Sequence, residues 1–309
     1  MNPVRRILVA VAALPLLLAV PGCSADPARA DKAETVTIVG QNFTEADVVT
    51  RLYQLLLDKN GYRTRVRDVG ARDLYLGPLK RGRVQVAADY LSTLTDDLNR
   101  RVHGTTAPPV ASPDVPATLE QLTTLGREYG VTPLRPARAS NGKGYAVTRA
   151  FAEKFHLTSL SDLGRLGRPV ALAAETDCAE RPDCGRGLEQ VYGISLSRIE
   201  PLGLGSGDTV RALTDGEVQL AQVSTTDGTL GRLGAVVLQD DRNWQNAENV
   251  VPVVNSAWLE ENPKAEAVLD KLSAVLTTAD LQKLNAQVDG ERLEASQVAE
   301  DYLKEKGLL

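Results

Sequence analysis

The chain has 309 residues, of which 35 are basic and 40 acidic, so its net charge at pH 7 is −5. Hydrophobic residues make up 43% of the sequence and aromatic residues only 4%. A chain of this length and composition can bury a large core and predicts about two domains. The acidic balance argues against nucleic acid as a partner, because phosphate backbones bind basic surfaces.

The start of the chain has the pattern of an export signal. Two arginines and an apolar stretch up to Val20 are followed by a glycine and Cys23. The apolar stretch is shorter than the roughly 20 residues that span a bilayer, which argues against a membrane-spanning anchor. We predict that residues 1–22 are a signal peptide and that residues 23–35 form a tether. The pattern resembles a bacterial lipoprotein signal, which implies that Cys23 becomes a lipidated first residue.

Residues 36–61 predict a strand, a polar turn and a helix, since a β-branched run is followed by apolar residues at helical spacing. In an open α/β sheet, ligands bind beyond the carboxyl ends of the strands, where a helix start offers free N–H groups. Thr44 and Asp47 resemble a capping box that begins the helix. The turn is therefore a candidate binding loop that contributes Gln41, Asn42 and Thr44. An ordinary connection between a strand and a helix is the alternative.

Two distant segments share one pattern. Residues 79–87 and 213–221 both read Leu-x-x-Gly-x-Val-Gln-aliphatic-Ala. Each predicts a helix end, a glycine cap and a buried strand. The spacing is far longer than the roughly 20 to 50 residues of a solenoid repeat, so we predict two similar α/β lobes. If the lobes face each other, the polar stretches 89–93 and 224–228 point into one cleft; chance recurrence is the alternative.

The rest of the chain continues the α/β pattern. Strands are predicted at 131–134, 145–148, 170–174, 199–202, 235–238 and 250–254, and helices at 118–129, 263–277, 279–288 and 296–306. The proline-rich span 105–116 is predicted to be a surface loop, because the α/β pattern resumes on both sides of it.

Beyond Cys23, the chain has one pair of cysteines, Cys178 and Cys184. In an exported protein such a pair predicts a disulfide. A metal site is the alternative, but the two histidines, His103 and His156, show no ligand spacing with these cysteines or with each other. We predict neither a metal nor a cofactor.

Six short motifs occur in a fixed order along the chain: Gly40-Gln41-Asn42-Phe43-Thr44-Glu45, Asp89-Tyr90-Leu91-Ser92-Thr93, Gly144-Tyr145-Ala146-Val147, Glu180-Arg181-Pro182-Asp183 with Gly187-Leu188, Thr225-Thr226-Asp227-Gly228, and Asn249-Val250-Val251-Pro252-Val253-Val254. In this order the chain resembles the substrate-binding proteins of glycine betaine, carnitine and choline ABC importers over nearly the whole mature sequence. The resemblance implies an α/β, two-lobed type II periplasmic-binding-protein fold, each lobe a mixed sheet flanked by helices. Residues 36–137 plus 247–309 would form lobe 1, and residues 138–246 lobe 2.

In that family, an aromatic cage holds a quaternary ammonium group by cation–π attraction. The resemblance places Tyr90 and Tyr145 at two cage positions, and Arg181 and Thr93 at positions that contact a carboxylate. Gln41 stands where a lysine is frequent. The alternatives are a core position for Tyr145 and a surface ion pair for Arg181.

Two positions depart from the family pattern. Ser224, which precedes Thr225 in the second polar stretch, and Glu248 stand where the other two cage tyrosines are usual. Trp244 could replace one wall, and Glu248 could neutralise a cation directly. These two departures predict a different small cation, a primary or secondary amine, or a zwitterion outside the betaine set as the ligand.

The sequence therefore predicts an extracytoplasmic, monomeric binding protein, not an enzyme, that touches the membrane only through its lipid anchor. It would capture a small quaternary-ammonium, cationic or zwitterionic compatible solute between the lobes and deliver it to an ABC importer permease. The alternative is a sensor or scaffold lipoprotein with the same fold and a different small ligand. A hydrolase is disfavoured, because neither histidine stands in a recognisable catalytic motif.

Overall fold

The structure is a computed structural model that describes residues 35–309. The predicted signal peptide, the lipidation site at Cys23 and nearly all of the predicted tether lie outside these residues. The described chain forms two mixed five-stranded sheets flanked by helices, as the sequence predicted. Within residues 35–309, no helix combines the length and the apolar character needed to cross a membrane.

The first sheet has the strand order β2-β1-β3-β10-β4 and is buried on both faces. Strand β1 runs parallel to β2 and β3, whereas β10 runs antiparallel to β3 and β4. Residues of β1 alternate between two apolar clusters on opposite faces of the sheet: Ile38 packs on one side and Val39 on the other. The strands are β1 (Val36–Gln41), β2 (Thr64–Val69), β3 (Val86–Tyr90), β4 (Val131–Pro133) and β10 (Val250–Asn255). The associated helices are α1 (Thr44–Lys59), α2 (Arg72–Lys80), α3 (Leu91–His103), α4 (Val115–Tyr129), α9 (Ser256–Glu261), α10 (Lys264–Val275), α11 (Thr278–Asn285) and α12 (Ala295–Glu305).

The second sheet has the strand order β7-β6-β8-β5-β9, again with parallel strands on one side and antiparallel strands on the other. Its strands are β5 (Lys143–Thr148), β6 (Val170–Ala174), β7 (Leu196–Pro201), β8 (Leu220–Ser224) and β9 (Ala235–Leu238). Its helices are α5 (Arg149–Phe155), α6 (Leu160–Arg165), α7 (Gly185–Tyr192) and α8 (Gly207–Thr214).

The repeated segment supplies the middle strand of each sheet, β3 in the first and β8 in the second. The glutamine before each strand makes the same two contacts. Gln85 donates its N–H to the carbonyl of Thr37 at 3.0 Å, and its side-chain oxygen accepts the Thr37 N–H at 2.7 Å. Gln219 makes both contacts with Ala171, each at 3.1 Å. The same sequence pattern therefore ties the central strand to its parallel neighbour in both sheets.

The predicted capping box at Thr44 is wrong. Helix α1 has Phe43 at its N-cap, and no side chain caps it within the described residues. The Asp47 carboxylate instead pairs with Arg51 one turn later, at 3.0 Å. The Thr44 hydroxyl donates to Asp289 at 2.6 Å, so this threonine links the first turn of α1 to the C-terminal region.

The chain passes between the sheets twice, and the two crossings pair with each other. Ser140 and Asn249 form an antiparallel bridge. Next to it, the Asn141 N–H donates to the Glu248 carbonyl at 2.9 Å. This paired link places Asn141 and Glu248 where one sheet gives way to the other.

Candidate ligand-binding site

Segments at or just beyond the carboxyl ends of β1, β3, β6 and β8 meet in the space between the sheets. They enclose a cavity of about 350 Å³, which we call the arginine cavity. The first sheet and its flanking segments contribute Gln41, Phe43, Arg72, Tyr90 and Thr93 to its walls. The second sheet and its flanking segments contribute Lys143, Glu175, Leu204 and Ser224, and the crossings contribute Asn141, Gly142 and Glu248. This is where an open α/β sheet binds its ligands.

A second cavity of about 480 Å³ continues from the first, and we call it the acidic cavity. The two share Phe43, Asn141, Leu204 and Ser224 in their walls. The acidic cavity adds Thr44, Glu45, Asp227, Asn285 and Asp289, among other residues. Asn285, on α11, donates to Glu45 and to the Thr226 carbonyl, both at 2.9 Å. The C-terminal region therefore connects the two sides of this cleft.

The aromatic wall of the arginine cavity consists of Phe43 and Tyr90. Their ring centroids lie 6.1 Å apart with an interplanar angle of 26°. Phe43 is 40% exposed, whereas Tyr90 is 8% exposed and donates its hydroxyl proton to Glu45 at 2.7 Å. Burial and then the neighbouring Glu45 raise the pKa of Tyr90 well above its usual value, so the phenol stays neutral. Both rings belong to the first sheet, so they form one wall.

Arg72 is one of two cationic groups of the cavity that sequence reasoning missed, the other being Lys143. The Nε of Arg72 lies 3.0 Å and its Nη2 2.6 Å from the carboxylate of buried Asp89, which also accepts from the Tyr75 hydroxyl. Nη2 donates to the Thr93 hydroxyl at 2.9 Å, while Nη1 makes no hydrogen bond within residues 35–309. The available signal was Asp89 itself, since a carboxylate at the end of a buried strand needs a cationic partner.

Glu248 is half-buried and accepts only weak hydrogen bonds. Its Oε2 lies 3.3 Å from the N–H of Thr93, in the first turn of α3, and 3.4 Å from the Thr93 hydroxyl. Burial raises the pKa of Glu248 to about 7, although the Thr93 N–H and the charge of Arg72 act in the opposite direction. The carboxyl group therefore changes charge near neutral pH.

Arg181 is occupied by carboxylates of its own loop. It contacts Asp183 through Nε at 2.9 Å and through Nη2 at 2.6 Å, and Glu175 through Nη1 at 3.0 Å. Lys143 contacts Asp183 at 2.8 Å. Burial opposes ionisation of Asp183, yet hydrogen bonds from Arg181 and Lys143 hold its pKa well below the usual range. Of the two cations, Lys143 lines the arginine cavity and Arg181 lines neither cavity as the structure describes them.

The predicted disulfide is confirmed. Cys178 and Cys184 are bonded and fully buried. The bridge closes the loop that carries Arg181 and Asp183, and so holds this charged group against the second sheet.

Tyr145 lies behind the cleft. Its side chain is 1% exposed, and its hydroxyl donates to the Asp183 carbonyl at 3.2 Å. Its ring stacks on Trp244 at 5.9 Å, and the Trp244 indole N–H donates to Pro182 at 2.9 Å. Within the described residues, neither ring lines the arginine or the acidic cavity, but Trp244 and Glu248 both line an adjoining cavity of about 220 Å³.

The structure thus brings together six of the ten predicted ligand-binding residues: Gln41, Thr44, Tyr90, Thr93, Ser224 and Glu248. Asn42 is exposed and lies outside both cavities as described. The Thr225 hydroxyl is engaged by the backbone of the crossing, where it accepts from the Gly142 N–H and donates to the Ser140 carbonyl, both at 2.9 Å. Thr225, Tyr145 and Arg181 therefore support the walls of the cleft. The ligand-binding roles of all ten stay predictions.

Two facing α/β sheets, with a polar cleft at their strand ends, define the class of solute-binding proteins that hold a ligand between lobes. The chain belongs to the family described as the substrate binding domain of ABC-type glycine betaine transport systems, whose model matches residues 34–305. Members of this family are transport proteins, not enzymes, which confirms that prediction.

Relatives and solved structures agree with this family. A glycine-betaine-binding protein of Pseudomonas aeruginosa is 28% identical over 290 residues, or 90% of each chain. The structure of ligand-free YehZ from Escherichia coli matches with a TM-score of 0.77 at 29% identity, covering 90% of this chain and 100% of that one. A structure of a glycine betaine/carnitine/choline ABC transporter matches with a TM-score of 0.76 at 20% identity, covering 88% and 99%, and bears on the fold alone. The predicted type II periplasmic-binding-protein fold is confirmed.

Proposed function

We propose that this substrate-binding protein captures a small solute that carries an ammonium group, with or without a carboxylate, in the arginine cavity. The observation that supports the proposal most directly is the composition of that one cavity. It combines a stacked aromatic pair, Phe43 and Tyr90, with a guanidinium, Arg72, and a carboxyl group, Glu248. These are the groups that a compact zwitterion requires.

Each end of such a solute finds a partner in this cavity. An ammonium group placed over an aromatic face gains about 2 kcal/mol or more when it is desolvated. A solute carboxylate would accept from the Nη1 of Arg72 and from Lys143, whose other contacts are with Asp183 and, at 3.5 Å, with Glu175. The cavity volume of about 350 Å³ suits a small solute.

Delivery to the importer follows from the placement of the cavity between the sheets. A solute that contacts both sheets stabilises the closed arrangement by its differential affinity for that state. The permease would then recognise the closed surface. Substrate-binding proteins of ABC importers bind a small solute and deliver it to a permease in this general way.

The proposal includes anchoring outside the cytoplasm. Members of the family are extracytoplasmic. The export pattern of residues 1–22 and the position of Cys23 support a lipid-tethered monomer that releases its solute to a membrane-embedded partner. The lobe division at residues 137 and 246 is part of the same proposal.

A thermal-shift panel tests the proposed solute class. Purified mature protein is heated with glycine betaine, choline, carnitine, ectoine, proline or a polyamine. A true ligand at 100 times its dissociation constant should add about 2.7 kcal/mol to the free energy of unfolding. No stabilisation by any ammonium solute would contradict the proposal.

The same panel should locate the site. Phe43→Ala is expected to weaken binding about tenfold, since it removes one ring of the aromatic wall. Leu293→Ala is the matched control, because Leu293 is 42% exposed and, as described, lies outside both cavities. Equal affinities in the two variants would place the solute elsewhere.

A further inference from the structure

We infer that the solute's ammonium group carries at least one N–H, which donates to the carboxylate of Glu248. The solute would then be an incompletely methylated amine, not a quaternary ammonium compound. This inference rests on the proposed function and specifies the substrate class of the same cavity.

The first argument is the unused hydrogen-bonding capacity of Glu248. A carboxylate has about four acceptor positions. Within residues 35–309, Glu248 Oε2 receives only the two long contacts from Thr93, at 3.3 and 3.4 Å, and Oε1 receives none. A half-buried carboxylate with free acceptors calls for a donor from the ligand.

The second argument is that the cations of the cavity are already paired with other acids. Arg72 is held by Asp89, with Nε at 3.0 Å and Nη2 at 2.6 Å. Lys143 is held by Asp183 at 2.8 Å. Across the described chain, Glu248 forms no ion pair, so it is the carboxyl group of this cavity that lacks a cation.

The third argument is that no aromatic side chain among residues 35–309 lines the cavity opposite Phe43 and Tyr90. The second sheet and its flanking segments present Leu204 and Ser224 to the cavity, and the crossing presents Asn141. The Ser224 hydroxyl is engaged by Asn141 and lies 3.1 Å from the Thr226 hydroxyl. A quaternary ammonium group has no N–H and depends on ring faces, whereas an N–H cation gains a charge-assisted hydrogen bond.

The titration behaviour of Glu248 fits this picture. Burial raises its pKa to about 7, so the empty site at neutral pH is divided between the neutral and charged forms. A bound N–H cation supplies the missing positive charge and holds the carboxylate ionised.

Two pairs of ligands isolate the N–H group. Dimethylglycine and glycine betaine differ in one N–H against one methyl group, and so do dimethylethanolamine and choline. Isothermal titration calorimetry measures their affinities for the mature protein, for Glu248→Gln and for Glu266→Gln. Glu266 is exposed on α10, outside both cavities as described, and provides a control with the same change in charge.

In the wild-type protein and in Glu266→Gln, the N–H member of at least one pair is expected to bind about tenfold more tightly, the factor that a charge-assisted hydrogen bond supplies. In Glu248→Gln this preference should disappear. Equal or tighter binding of glycine betaine and choline would overturn the inference and leave the proposed function intact. A preference that survives Glu248→Gln would also overturn it. No binding by any of the four compounds would also overturn the inference, and the wider thermal-shift panel would then decide the proposed function.

Discussion

At the residue scale, the recognition that we propose depends on Glu248, which the resemblance to the family places where a cage tyrosine is usual. A tyrosine offers a ring face, whereas a carboxyl group offers a charge that depends on pH. The charged groups around Glu248 come from the two sheets and their flanking helices and loops. Arg72, Asp89 and Asp96 belong to the first sheet and its helices, and Lys143, Glu175 and Asp183 to the second sheet and its loops. Because burial raises the pKa of Glu248 to about 7, we expect this position to couple solute binding to protons.

We predict that dimethylglycine binds about tenfold more weakly at about pH 6 than at about pH 8, since only ionised Glu248 offers the ammonium N–H a charge-assisted hydrogen bond. Binding near neutral pH should release a proton, measured by calorimetry in buffers that differ in ionisation enthalpy. Glu248→Gln should remove both the pH dependence and the proton release. The free energy of unfolding of the ligand-free protein depends on pH in the opposite direction. The raised pKa of Glu248 favours its neutral form in the folded state, so the contribution of Glu248 to stability is lost as the pH rises towards 7. A pH-independent affinity in the wild-type protein would rule out this coupling.

At the residue scale, sequence reasoning located residues of the cavity wall where chain order was enough and missed them where contacts decide. Residues such as Tyr90 and Ser224 stand at strand ends, and strand ends in an α/β sheet converge on the ligand site. Arg72 was missed because its role depends on Asp89, seventeen positions away, and on burial. Tyr145 also stands on a strand of the second sheet, but its ring packs against Trp244, behind the cavity wall. The sequence alone could not show that orientation.

At the element scale, the repeated glutamine explains why two distant segments share a pattern. Gln85 and Gln219 each tie a central strand to its parallel neighbour through a side-chain contact as well as a backbone one. Gln85 is the more buried of the two, at 4% exposure, and its amide also donates to the Gly82 carbonyl at 2.6 Å. The repeated pattern therefore has a structural role, which is to link adjacent parallel strands in each sheet.

We predict that Gln85→Ala lowers the free energy of unfolding by about 1–3 kcal/mol, because it leaves the buried Thr37 N–H without its side-chain acceptor. Gln219→Ala should cost less, because Gln219 is only partly buried. Urea denaturation of both variants gives the two values. A larger loss for Gln219→Ala, or none for Gln85→Ala, would contradict this assignment.

The sequence predicted the strands that consist of continuous apolar runs. It did not predict the edge strand of mixed polar and apolar residues or some of the short helices. The runs at 170–174 and 235–238 coincide with strands β6 and β9. Strand β2 was not predicted, because its sequence Thr-Arg-Val-Arg-Asp-Val belongs to a half-exposed edge strand with little apolar character. The short helices α6 and α7 were missed for a related reason, since six to eight residues carry too little periodicity to be recognised.

At the scale of the whole molecule, the two sheets are joined by a paired crossing and by the C-terminal region. The crossing carries Asn141 and Glu248, and α11 reaches the second sheet through Gln282, which donates to the Thr225 carbonyl at 2.6 Å. The paired crossing thus holds the sheets together and also supplies Asn141 and Glu248 to the cavity wall. A solute that contacts Glu248 therefore acts where motion between the lobes would be centred.

The most direct test of the central claim is the crystal structure of the mature protein with whichever of dimethylglycine and glycine betaine binds more tightly. We expect density for one solute molecule in the arginine cavity, with its ammonium group between the Phe43–Tyr90 wall and Glu248 and its carboxylate on Arg72 and Lys143. Density in another part of the molecule, or a cavity that stays empty at saturating solute, would contradict the account.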